Sequence, residues 1–304
     1  MAFDDLPPRP EPIFAAARVY AQSVLNASRQ AAESGALNFE GDIAFGPDYF
    51  QRVDVYSPLT GEAGLPVLLF LHGGAFIGGY KEWMGFMAPA ILRTPAVFVS
   101  VSYRLAPEHC FPAQLEDTAT AVNWAWHNIS RFGGDPERLF IGGHSAGGNL
   151  ASVVALDKRW LSPYDLPANV IKGVMPVSTP YDLQYETWDP ANEAALNMRR
   201  TYAPNDEDAA LISPMALATA DAPPFYLAAG DCDLWKLAEE MERFGSRLQK
   251  LGVPAVSECF IGHDHFDTNS RCVEQGHGWI RRTQSFLRDG TPVAEAQIAG
   301  KSPR

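Results

Sequence analysis

Long apolar runs are missing from this chain of 304 residues. The longest, Pro66–Leu71, is far shorter than the ~20 residues needed to span a bilayer, so no membrane association is expected. Basic side chains are also few: 24 Lys and Arg stand against 36 Asp and Glu, a net charge of −12. Such a chain repels phosphate backbones, which argues against a nucleic-acid partner. Cysteine is sparse, and Cys110, Cys232, Cys259 and Cys272 form no C-x-x-C pair. Free thiols in a reducing compartment are the expected state. The opening Met-Ala-Phe-Asp-Asp-Leu-Pro-Pro-Arg-Pro lacks the basic patch and apolar run of a secretory signal, so a cytoplasmic location is expected.

An apolar share of 46% with 20% charged residues describes an ordinary globular protein. Its length suits one large α/β domain with small insertions. Ile13–Ser34 reads as a helix with Ile13, Ala17, Tyr20, Val24 and Leu25 on one face, so residues 1–40 are expected to form a cap segment. Asp42–Phe45 and Phe50–Tyr56 flank a Gly46-Pro47-Asp48 turn and predict a hairpin at a sheet edge. Short, nearly continuous apolar runs follow at Val67–Leu71, Ala96–Val101, Leu139–Ile141, Ile171–Val177, Phe225–Ala229 and Val256–Ile261. Parallel strands buried on both faces have this character. Helical stretches alternate with them, among them Asp117–Phe132 and Leu234–Leu251. The alternation predicts a doubly wound, mostly parallel α/β sheet over residues 41–290. Residues 179–214 read as an insertion over the site and 291–304 as a loose tail.

The most informative segment is Leu139-Phe140-Ile141-Gly142-Gly143-His144-Ser145-Ala146-Gly147-Gly148. A buried strand enters Gly143-x-Ser145-x-Gly147 and a helical stretch leaves it. A serine aimed at substrate from so tight a turn occupies strained dihedrals, and small neighbours remove the collisions. The turn also places Ser145 at a helix N-terminus, where amides favour developing negative charge. A phosphate loop is disfavoured because no Gly-Lys-Ser/Thr follows. A second strand ends in His72-Gly73-Gly74-Ala75-Phe76, where the small residues let backbone amides approach a substrate carbonyl.

His72-Gly73-Gly74-Ala75-Phe76 resembles the H-G-G-x motif of the hormone-sensitive-lipase-like esterases and the related arylformamidases (kynurenine formamidases). Tyr103-Arg104-Leu105-Ala106-Pro107-Glu108 with Phe111-Pro112-Ala113 is similar to the same families' Y-R-L-A-P-E…F-P-A run. Gly133-Gly134-Asp135-Pro136 ahead of the Ser145 turn is similar too. The likeness runs from about Asp42 to Asp289 and implies an α/β-hydrolase fold with a small helical cap. It implies an oxyanion hole made by the amides of Gly74, Ala75 and Ala146, no cofactor, no metal, and an association as a homodimer. Ala75 replaces a glycine common in the lipase-like group, and Phe76 replaces a tryptophan frequent among the formamidases; neither change removes a backbone donor.

A serine hydroxyl needs a base, and in this fold the acid and then the histidine follow the serine in the chain. His72, His109, His127 and His144 lie before Ser145 or inside its turn, and His277 reads as a surface residue. His263 and His265 remain, after the last strand. The resemblance places the base on His265, just before Phe266. It places the acid on Asp233, with Asp231 as the competing carboxylate; a helix N-cap is the other role open to Asp233. His263-Asp264-His265 lacks a third metal ligand at suitable spacing. Arg104 and Glu108 are expected to brace the loops behind the site. Phe76, Tyr80, Trp83, Tyr181, Tyr185, Trp188 and Trp235 are candidates for the pocket wall.

These readings predict a serine hydrolase acting on a small carboxylic ester, with an N-formyl or aryl amide as the competing substrate class. The segment Phe45–Tyr56 and Phe76–Lys81 lean toward the formamidases, and Ala-Pro-Glu-His-x-Phe-Pro-Ala leans toward the esterases. A non-catalytic ligand-binding relative is the remaining alternative, disfavoured because serine, histidine and acid are all present.

Overall fold

The computed structural model describes residues 3–4, 6–7, 15–184 and 193–293. Eight strands form one sheet in the order β1-β2-β4-β3-β5-β6-β7-β8. They are β1 (Asn38–Ala44), β2 (Arg52–Ser57), β3 (Leu65–Leu71), β4 (Val97–Val101), β5 (Gly134–His144), β6 (Ile171–Val177), β7 (Phe225–Cys232) and β8 (Ala255–Asp264). From β4 to β8 every pairing is parallel. β2 runs antiparallel to both β1 and β4, so the predicted hairpin stands at the sheet edge.

The helices are α1 (Ala15–Glu33), α2 (Ala88–Ile91), α3 (Ala113–Asn128), α4 (Ala146–Leu156), α5 (Glu193–Tyr202), α6 (Pro214–Leu217), α7 (Leu237–Lys250), α8 (Asp267–Ser270) and α9 (Gly278–Asp289). They cover both faces of the sheet. Along β3, Val67, Leu69 and Leu71 enter the core shared with α3, α4 and α7. Leu68 and Phe70 point the other way, into the core shared with α1, α2 and α9. Period-two alternation between two apolar layers is why these strands read as continuous hydrophobic runs.

Several boundaries differ from the sequence reading: β1 begins at Asn38 rather than Asp42, inside the expected 1–40 cap segment, and β7 and β8 run on to Cys232 and Asp264. α3 starts at Ala113 rather than Asp117 because Pro112 takes the N-cap position and Ala-Gln-Leu-Glu continue as helix. β5 is much longer than Leu139–Ile141, since the polar Asp135–Arg138 stretch still belongs to the strand that joins β3 at Gly134. The expected helix from Leu234 is interrupted: Trp235 and Lys236 adopt left-handed dihedrals, φ 50° and 64°, and α7 begins at Leu237. Residues 179–214 contain α5 and a 3-10 turn over Asp206–Ile212. Ile13, Tyr185, Trp188 and the tail beyond residue 293 lie outside the described residues. Among the described residues, no helix is long and apolar enough to cross a membrane.

Candidate active site

In parallel α/β sheets, the loops at the strands' carboxyl ends gather the functional groups. β5 enters α4 through Ser145, whose φ of 54° and ψ of −120° are strained for a residue with a side chain. The turn is held by Ser145 N–H donating to the Val177 carbonyl at 2.8 Å. A Cβ on Gly147 would lie 2.4 Å from the His72 carbonyl oxygen, so only glycine lets the helix start this close to β3.

His265 follows β8. The Asp264 carboxylate accepts the amides of Phe266 and Asp267, each at 2.8 Å, which fixes the turn around it. His265 Nε2 stands 3.0 Å from Ser145 Oγ, and its Nδ1 stands 2.7 Å from Asp233 Oδ1. Asp233 makes both contacts open to it, for the same Oδ1 also caps the turn that follows by accepting Leu234 N–H at 2.7 Å. Burial works to raise the Asp233 pKa, but hydrogen bonding and charge from His265, with help from Ser178 and the Leu234 amide, hold it below the usual value. The carboxylate therefore stays ionised beside the imidazole. Asp231 does otherwise: its Oδ1 accepts Gly262 N–H at 2.6 Å, bridging the irregular carboxyl ends of β7 and β8.

His263 turns away from Ser145. Its Nδ1 reaches the Ile261 carbonyl at 3.2 Å and its Nε2 meets His277 Nε2 at 3.3 Å. His277 is not the surface residue expected from its polar neighbourhood. It is half-buried and caps α9 by accepting Trp279 N–H, packed against Phe260.

Opposite Ser145, the loop after β3 turns through Gly74, Ala75 and Phe76, all at positive φ. Gly74 O accepts the amides of Ile77 and Gly78. Among the described residues, the Gly74 and Ala75 amides donate to no acceptor, and Ala146 N–H opens α4 with no carbonyl a turn behind it. His72 anchors the loop from below: it is fully buried, stacks on Tyr103 at 4.3 Å, and its pKa is pushed down to about 4 by burial. Tyr103 Oη donates to the His72 carbonyl. Behind it, Arg104 forks onto buried Asp117 and reaches the Ala113 carbonyl, whereas Glu108 is exposed.

A cavity of about 430 Å³ opens between this loop, Ser145 and His265. Trp83 and Trp235 lie on its wall, with Ile77, Met198, Leu234 and Phe266, and α1 closes one side through Ala17, Arg18, Tyr20, Ala21 and Gln22. Phe76 and Tyr181 do not line it. Phe76 is fully buried against Tyr202 at 3.8 Å, and Tyr181 against Phe244 at 4.6 Å, so both are core residues. Tyr80 is likewise buried, packed on Trp83. Sequence reasoning missed Met198 and Leu234 on the wall and Ser178 beside Asp233, whose types and spacing carry no signal; only tertiary packing brings them here. Carboxylates of Asp42, Asp54 and Glu82 lie within 4.8 Å of one another. The Lys81 ammonium already occupies that cluster, 2.8 Å from Asp42 and 3.1 Å from Asp54, and it pairs with Glu82 as well.

A carbonyl carbon placed in the cavity could meet the Ser145 hydroxyl on one side and unpaired amides on the other. Comparison with known proteins agrees with the class of enzyme this suits. A carboxylesterase of Mycobacterium tuberculosis is 40% identical over 104 residues, 34% of this chain and 33% of that protein, so the match spans about a third of that relative. A kynurenine formamidase of Danio rerio is 26% identical over 283 residues, 91% of this chain and 94% of its own. An esterase of the archaeon Pyrobaculum calidifontis superposes with a TM-score of 0.74 at 26% identity, covering 90% of this chain and 92% of that one. Residues 68–266, more than half of the chain and the same strand–helix frame described above, match the alpha/beta hydrolase fold family, and the chain belongs to it.

Proposed function

We propose that the protein is a carboxylesterase that works through an acyl-enzyme. Ser145 Oγ attacks the ester carbonyl while His265 Nε2 takes its proton. Asp233 holds the Nδ1–H tautomer and stabilises the imidazolium. The tetrahedral oxyanion accepts hydrogen bonds from the amides of Gly74, Ala75 and Ala146. Collapse breaks the ester C–O bond, and the leaving alkoxide takes the proton from His265 and departs as an alcohol. Water, deprotonated by the same imidazole, then attacks the acyl-enzyme and releases the acid and free Ser145.

The observation that carries this reading is the unbroken hydrogen-bonded line from Asp233 through His265 to Ser145, at 2.7 and 3.0 Å, ending beside amides that have no other acceptor. The mainly apolar wall favours small or medium uncharged acyl groups. An arylformamidase is the second reading, supported by the near full-length likeness to a kynurenine formamidase and by Trp83 and Trp235 as flat surfaces for an aryl group. In both, Ser145→Ala should lower turnover of p-nitrophenyl butyrate by at least ~10³-fold and abolish labelling by a fluorophosphonate. Retained turnover defeats the assignment. Comparing kcat/KM for N-formylkynurenine with that for short p-nitrophenyl esters separates the two substrate classes.

A further inference from the structure

His144 precedes Ser145 inside the tight turn, and its side chain reaches across to the other half of the site. Its Nε2 lies 2.9 Å from the backbone carbonyl of His265, a contact between residues 121 apart in sequence. A carbonyl only accepts, so the imidazole must be the Nε2–H tautomer and donate. The other nitrogen agrees: Nδ1 is buried with no partner and faces the Gly73 Cα, where an added Cβ would lie 2.8 Å away. The ring is sealed by Tyr20 at 5.8 Å and by the His265 ring at 4.7 Å. Burial, and the nearby His265, push its pKa down to about 3, so it stays uncharged beside the His265 ring, whose centre lies 4.7 Å from its own. Thr268 Oγ1 donates to the same His265 carbonyl at 2.8 Å, so the backbone of the base is gripped from two sides.

We propose that His144 is a positioning residue: as a neutral Nε2–H donor it ties the turn that carries Ser145 to the loop that carries His265 and so sets the distance between nucleophile and base. The inference rests on the Ser145–His265 reading. Ser145 follows β5 and His265 follows β8, and among the described residues, apart from their own contact, this imidazole is the direct link from the residue beside one to the backbone of the other. Displacement of a catalytic group by about 1 Å can cost on the order of 10²-fold in rate. A loose base should therefore lower kcat while leaving the apolar wall, and hence KM, nearly untouched.

The test compares His144→Leu, of similar volume but without a donor, with His144→Gln, whose amide can donate from nearly the same place. On p-nitrophenyl butyrate, Leu should lower kcat at least 10-fold with KM within threefold of the parent, and Gln should restore kcat to within threefold. Folded Leu variant with parental kcat, or a folded Gln variant as slow as Leu, overturns the proposal. If the Leu variant does not fold, the parent protein still decides. With ¹⁵N-labelled histidine, long-range ¹H–¹⁵N spectra should show His144 protonated on Nε2 and unchanged between pH 5 and 8; an Nδ1–H form, or titration in that range, overturns it. Fluorophosphonate labelling of the parent separates the two levels. An unlabelled parent sinks both the catalytic reading and this role, whereas a labelled parent with an indifferent His144 sinks only the latter.

Discussion

Gly74 sits at φ 121°, and a Cβ built there would lie 2.1 Å from the Gly78 carbonyl oxygen. Its neighbour Ala75 already carries a Cβ at φ 57°. The two positions therefore respond oppositely to substitution. Gly74→Ala must push the loop apart, breaking the turn in which Gly74 O accepts Ile77 and Gly78 N–H, and with it the aim of the amides toward Ser145. Loss of one oxyanion donor costs about 3–4 kcal/mol in the transition state, so kcat should fall about 10²- to 10³-fold. Ala75→Gly removes a left-handed penalty of about 1–2 kcal/mol and adds about 0.5–1 kcal/mol of chain entropy, so kcat should stay within about twofold. Steady-state kinetics on p-nitrophenyl butyrate check both, and equal effects would refute the assigned loop geometry.

At this scale the sequence was legible where chemistry demands a residue type within a short span. Ser145 between glycines and the glycine pair after β3 are such cases. It was ambiguous where two equivalent side chains stand two residues apart. His263 and His265, like Asp231 and Asp233, differ only in which way the strand end points them, and the resemblance, not the spacing, chose between them. Phe76 and Tyr181 misled because an aromatic ring beside a loop of the candidate site packs equally well into the core behind it.

α1 shows what periodicity can and cannot deliver for an element. Its stripe of Tyr20, Val24 and Leu25 announced a docked helix, and Tyr20, Ala21, Val24, Ser28 and Ala31 are buried. The partner was illegible, because Tyr20 Oη donates to Asn269 Oδ1 at 2.6 Å across 249 residues of sequence. The same ring packs on Trp83 and Phe266, so the bond pins the helix beside the cavity and against the loop of His265. Burial also pushes the Tyr20 pKa well up, so the hydroxyl remains a donor across the whole working range. Tyr20→Phe leaves the ring in place and orphans Asn269 Oδ1. An unmet buried acceptor costs about 1–3 kcal/mol. The urea midpoint should fall accordingly with an unchanged m-value, and an unaltered midpoint would mean that α1 is held by apolar contact alone. The interrupted start of α7 has the opposite lesson: a clean apolar stripe from Leu234 onward hid a left-handed pair, because Asp233 caps a short turn of its own before the helix begins.

For the molecule as a whole, buried titratable groups set how stability follows pH. His72 and His144 are pushed down by burial to about 4 and about 3. As pH falls below ~6.5 the unfolded chain gains protons on them that the fold refuses, so their contribution is lost toward acid. Glu82 and Glu240 are pushed up by burial to about 7. The fold keeps their protons above the ~4.3 of an unfolded glutamate, so their contribution is complete below that value and is lost as pH rises to about 7. Between ~4.3 and ~6.5 the two pairs work in opposite directions and flatten the profile. Glu240 is the member that can be removed without stranding a charge. From α7, its Oε2 accepts the Tyr181 and Asp182 amides at 2.8 and 3.1 Å, at the root of the segment leaving β6. Glutamine keeps an acceptor oxygen there and has no proton to lose. Glu240→Gln should therefore match the parent near pH 4.5 and exceed it by about 1–2 kcal/mol at pH 8, a figure reduced for the partial exposure of the side chain. Urea denaturation of both proteins at the two pH values measures the difference; a gap that does not widen with pH would show that the Glu240 carboxyl ionises in the fold as freely as in the unfolded chain.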